Sequence, residues 1–114
     1  DLRQYDISDP VQPRLTGRLQ LGGVLGRPCD APRELGGGPQ MLQLSLDGKR
    51  LYVTNSLYST WDNQFYPDLR GWMLKLDAGD DGLRVDPDFF VDFSPARAHE
   101  IHLPGGDPTT EIFS

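Results

Sequence analysis

Apolar and polar positions alternate most cleanly between residues 40 and 56. Leu42, Leu44 and Leu46 alternate with Gln43 and Ser45, which assigns the leucines to one face of a strand and the polar residues to the other. Asp47-Gly48 then supplies turn chemistry, because glycine reaches positive φ without a Cβ penalty and aspartate bonds its own backbone. Leu51 and Val53 resume the alternation, with Tyr52 and Thr54 on the opposite face. The pattern predicts a β-hairpin over residues 40–56. A lone hairpin is marginal in water, so both of its faces need cover from further strands.

The same reading places strands elsewhere. Residues 2–7 form one, stopped by Ser8-Asp9-Pro10. Residues 14–21 form its partner, with Leu15, Gly17, Leu19 and Leu21 on one face. Residues 22–38, rich in Gly, Pro and Arg, sustain no period and are expected to be a long surface loop. A second long connection, residues 57–69, carries Tyr58, Trp61, Phe65 and Tyr66. These rings either pin the loop to a sheet or rim a pocket. Residues 72–77 are the next strand, with Trp72, Leu74 and Leu76 on one face; residues 78–82 turn it, and residues 83–86 lead through Pro87 into 89–93. Residues 94–114 are a Pro- and Gly-punctuated tail with one short extended piece, 100–103. No helix is expected.

An internal repeat organises these strands. Residues 4–10 with partner 13–15, and residues 74–79 with partner 82–84, are each a strand bearing an aspartate, a tight polar turn, and a strand opening near a leucine. The central hairpin lies between them, which is the grammar of a β-propeller. The expected fold is all-β, a propeller fragment of about one and a half blades with long loops. Residues 1–21 would be the outer half of a preceding blade, 22–39 a loop, 40–93 one blade with the inserted loop 57–69, and 94–114 a tail. The absence of an initiating Met at Asp1 agrees with a fragment. A ring needs roughly four to eight blades, so its remaining blades are expected partners of this stretch. A stand-alone β-sandwich is the alternative, and the long patternless loops argue against it.

Composition narrows the function classes. The 13 glycines and 10 prolines among 114 residues fit a loop-rich β protein. A formal charge of -6 with no basic stripe disfavours nucleic acid as a partner. Cys29 is alone, so no disulfide framework or multi-cysteine metal site arises within the chain. No apolar run approaches the roughly 20 residues that span a bilayer, and the protein is expected to be soluble, cytoplasmic or periplasmic.

Two histidines, His99 and His102, are the candidate metal ligands. In an extended piece they face opposite ways and do not share a metal without a bend. Each reads otherwise as a hydrogen-bonded structural histidine. Asp77, Asp80, Asp81 and Asp86 lack the spacing of a calcium loop and read as turn residues. Gly36-Gly37-Gly38 leads into Pro39 and is no phosphate loop, and no serine stands in a nucleophile elbow.

Beyond these patterns lie longer matches. Residues 4–10, 13–17 and 37–41, the run Gln43-Leu44-Ser45-Leu46-Asp47-Gly48-Lys49-Arg50-Leu51-Tyr52, Ser56-Leu57-Tyr58-Ser59, Trp61-Asp62, Gln64-Phe65-Tyr66-Pro67-Asp68-Leu69, Val91-Asp92-Phe93, Ala98-His99-Glu100 and Pro104-Gly105-Gly106-Asp107 together resemble the C-terminal end of the selenium-binding protein family, whose members include methanethiol oxidase. The resemblance implies a copper-dependent β-propeller oxidoreductase. Its reaction would take methanethiol, O2 and water to formaldehyde, hydrogen sulfide and hydrogen peroxide, and the isolated fragment is expected to be inactive. It makes His99 a copper ligand, with the others supplied from outside the chain, and lets Glu100 orient a ligand from behind. Tyr58, Trp61 and Tyr66 become candidate walls of a pocket for a small thiol. The family's selenium-linked cysteine belongs to the N-terminal part, so Cys29 does not inherit its role. Pro108 stands where the family often has Cys, and loop 22–36 is shorter than in some relatives. The alternative function is a non-catalytic selenium- or ligand-binding propeller.

Overall fold

In the computed structural model, residues 1–25, 29–55, 58–99 and 101–106 are described. Their elements run β1 (Leu2–Asp6), β2 (Arg14–Leu19), β3 (Pro39–Leu44), β4 (Arg50–Asn55), α1 (Ser59–Phe65), β5 (Trp72–Gly79) and β6 (Gly82–Asp92). β1 and β2 pair as an antiparallel hairpin, and β3-β4-β5-β6 form a four-stranded antiparallel sheet in sequence order.

The central hairpin closes as its turn residues dictate. Gly48 sits at φ 69°, a backbone conformation that a Cβ would strain. Asp47 accepts from the Lys49 N–H at 3.0 Å and the Ser45 hydroxyl at 2.5 Å, so this carboxyl is held below its ordinary pKa, chiefly by Ser45. The register sets Leu42 opposite Val53 and Leu44 opposite Leu51, and β4 in turn sets Val53 opposite Leu74 and Leu51 opposite Leu76. Directly paired residues share a face. One face is therefore an apolar sheet of leucines and valines, as the alternation predicts.

Cover over that face is uneven. Leu2, Leu21 and Leu35, from the hairpin and the following loop, join Val53, Trp72, Leu74 and Leu76 in one buried core. β2 lies against β6, and Gln4 donates to the Gly79 carbonyl at 2.9 Å, so the hairpin rests toward the β6 side of the sheet. Leu42 and Leu44 on the opposite edge strand remain 51% and 40% exposed. The other face is closed where it matters: Gln43, Ser45 and Thr54 are buried despite their polarity.

Two features depart from the sequence reading. The segment read as a patternless connection contains helix α1, so the fold is mostly rather than wholly β. Tyr58, Trp61 and Phe65 stand at i, i+3 and i+7, which is a helical stripe, but seven residues are too few for the period to stand out. Further on, Pro87 does not divide two strands. β6 runs through it with a bulge, residues 86–89 standing opposite Lys75 alone, as an edge strand tolerates.

Candidate functional site

Helix α1 buries none of its residues. Its rings therefore face outward: Trp61 packs on Phe65 with centroids 4.7 Å apart, and Tyr66 and Tyr58 are also exposed. Tyr58, at the helix N-cap, stacks on His99 with centroids 6.4 Å apart and planes 27° apart. The structure thus joins two of the residues singled out in the sequence, one from the aromatic connection and one from the tail. Trp61 pairs with Phe65, a residue the sequence reading left among the loop aromatics. The i, i+4 spacing of those two was the available signal. His102 is exposed, and Glu100 lies outside the described residues.

The tail is held in place by backbone contacts. Strand β6 ends where the Ser94 N–H caps Asp92 at 2.8 Å; that bond, the Ser94 hydroxyl and then Arg70 lower the Asp92 pKa. The Phe93 N–H donates to the Gly71 carbonyl at 2.8 Å, and the Ala96 N–H to the Phe93 carbonyl at 2.7 Å. A Cβ at Gly71 would lie 2.3 Å from the Ala96 oxygen, so only glycine lets the tail approach this closely. Arg97 then reaches back, its Nη2 donating to the Leu69 carbonyl and, at 3.3 Å, to Asn63 Oδ1 on α1.

Two concavities lie near this region. One, about 790 Å³, runs between loop residues 29–36 and Trp72, Phe90 and Asp92. Arg33 covers Phe90 there at 4.1 Å, and half-buried Cys29 lies in its wall. The other, about 540 Å³, is bounded by Asn63, Leu69, Arg70 and Arg97. Neither is lined by Tyr58, Trp61, Tyr66 or His99, whose rings form an open surface.

Imidazole chemistry suits copper. Among the described residues, however, no three His, Cys, Asp or Glu side chains come together as a metal shell. These residues do not by themselves fit a complete copper site.

Antiparallel sheets with an aromatic stripe and an adjoining imidazole define a mostly-β protein with its candidate chemistry on the connections. The match to the family model for the 56 kDa selenium-binding protein (SBP56) covers residues 1–114, and the chain belongs to that family. It is 50% identical to human methanethiol oxidase, across 99% of this chain and 30% of that protein. It is 47% identical to selenium-binding protein 3 of Arabidopsis thaliana, across 99% of this chain and 29% of the relative. The X-ray structure of a hypothetical selenium-binding protein from Sulfolobus tokodaii is 60% identical with a TM-score of 0.80, covering 92% of this chain and 24% of that one. The chain thus spans less than a third of the length of these relatives. The alignment to the human protein extends over 141 positions against 114 residues here, so residues of the relative have no counterpart in this chain.

Proposed function

We propose that this chain is the C-terminal part of a copper-dependent methanethiol oxidase, which converts methanethiol, O2 and water to formaldehyde, hydrogen sulfide and hydrogen peroxide. The observation that carries the reading is 50% identity to human methanethiol oxidase across 99% of the chain. In this reading residues 40–93 are one propeller blade and residues 1–21 the outer half of its predecessor; the four-stranded meander and separate hairpin support that division. His99 contributes one imidazole to a copper shell completed by other blades. Glu100 orients a ligand, and Tyr58, Trp61 and Tyr66 offer apolar wall to a small thiol, their exposure supporting access.

The test uses the full-length protein. It is expected to bind copper and to release sulfide and peroxide from methanethiol, and His99→Ala is expected to lose copper and turnover together. Full copper loading and turnover in His99→Ala would remove the ligand assignment. A full-length protein without copper or thiol oxidation would favour a non-catalytic selenium- or ligand-binding propeller; of that reading, the name of the Arabidopsis relative supports selenium binding alone.

A further inference from the structure

The segment between β6 and His99 is tied to the aromatic connection by one side chain. Arg97 donates through Nη2 to the Leu69 carbonyl and to Asn63 Oδ1, and through Nη1 to its neighbour Ala96 at 3.5 Å. Asn63 stands on α1, five residues after Tyr58, and His99 stands two residues after Arg97. The helix and the tail therefore meet at Asn63 with Arg97 and at Tyr58 with His99. Behind them, the Gly71–Ala96 contact fixes how closely the tail can lie.

The Arg97 guanidinium is spent on this bridge in an unusual way. Among the described residues, no carboxylate forms an ion pair with it and its buried Nε meets no acceptor. A buried donor left unmatched is costly, and surface ion pairing would have been the less demanding use of an arginine. One guanidinium nitrogen, Nη2, serves both acceptors on the connection while Nη1 turns to Ala96, and the rigid plane of the group fixes the two directions together, which a lysine ammonium on a flexible stem does not.

We propose that Arg97 is a positioning residue for His99: by clamping the tail to Asn63 and Leu69, it holds the imidazole against the Tyr58 ring and fixes the direction in which it is presented. The proposal rests on the reading of His99 as the residue facing the reaction centre, and Arg97 itself touches no reacting group.

The test is histidine-selective NMR of the full-length protein, with the His99 signal assigned through His99→Gln. Stacking on Tyr58 gives the imidazole protons a ring-current displacement, defined by its loss in Tyr58→Leu. Arg97→Met is expected to abolish that displacement while the other histidine signals hold their positions. Arg97→Lys should restore part of it, and Asn63→Ala, which leaves the Leu69 bond intact, should reduce it. An unchanged His99 signal in both Arg97→Met and Asn63→Ala would overturn the proposal. If Arg97→Met does not fold, Asn63→Ala and Arg97→Lys decide alone by the same signal. Copper content of His99→Ala is measured separately: full loading there would remove the ligand reading and leave the NMR result standing, whereas an unmoved signal beside lost copper would remove only the positioning role.

Discussion

One sheet face carries two rows of aliphatic side chains with opposite fates. Val53, Leu74 and Leu76 are essentially inaccessible to solvent, while Leu42 and Leu44, paired in register with β4, are about half open. Their chemistry and orientation are the same. The difference lies in what rests above them: the β1–β2 hairpin and the loop through Leu35 cover the β4–β5–β6 side and stop short of β3. Alternation therefore establishes which way a side chain points, and the rest of the chain determines whether anything meets it.

The largest effect expected from this contrast comes from truncating each row in turn. Leu74→Ala should cost about 2–5 kcal/mol in urea unfolding of the 114-residue chain. Leu42→Ala should cost less than about 1 kcal/mol there, since a half-exposed leucine leaves little cavity. Equal losses would break the contrast. In the full-length protein, the propeller reading raises the Leu42→Ala cost toward that of Leu74→Ala, because a neighbouring blade would cover it.

A smaller effect should follow from loosening the cover itself. Fully buried Asn55 donates to the Gly36 carbonyl at 3.2 Å and the Arg70 carbonyl at 2.6 Å, and accepts from the Trp72 N–H at 2.7 Å. The Trp72 indole adds a bond to the same Gly36 carbonyl at 2.8 Å. Asn55→Ala should cost about 1–3 kcal/mol through backbone groups left unmatched. It should also speed hydrogen exchange at the Trp72 amide. Unchanged protection there would show that the loop needs no such anchor.

The smallest effect is that of pH, and it should leave the contrast intact because, among the described residues, no ion pair crosses the apolar face. Lys75 and Asp86 pair at 2.6 Å on the bulged side. Hydrogen bonding to Asp86 raises the Lys75 pKa above 10.5, and bonding to Lys75 lowers that of Asp86 below 3.8. Asp6 is lowered as well, by the Ser8 hydroxyl and then Arg14. A depressed carboxyl stabilises the fold above its unfolded pKa and loses that contribution as pH falls through the folded value. A raised lysine stabilises below its unfolded pKa and loses it as pH rises through the folded value. Stability should therefore be flat between the two, decline below pH 3.8, and decline again above pH 10.5. In Lys75→Met the alkaline decline should shrink, as followed by circular dichroism.

Much of this architecture is legible in the sequence because β alternation and Asp-Gly turn chemistry are local. The hairpin about Gly48 and the strand opening at Trp72 follow from neighbouring residues alone. Helix α1 was hidden by its brevity, since Tyr58, Trp61 and Phe65 give the helical period barely two turns. The continuity of β6 through Pro87 depends on the pairing of β5 on either side of the bulge, Leu74 with Phe90 and Leu76 with Val85, which no local window contains. The site was half legible. His99 and Tyr58 were each recognisable by type and motif, but their stacking joins positions 41 residues apart. Arg97 gave no signal, because its partners are two backbone carbonyls and one asparagine.

The outer edge of β3 has a consequence for the chain as a material. Its backbone pairs with β4 on one side, and it is the terminal strand of the sheet among the described residues. Open backbone donors and acceptors beside half-bare leucines form a template onto which another extended chain adds. At high concentration, the 114-residue polypeptide should polymerise edge to edge, and a charge substituted for Leu42 should keep it in solution.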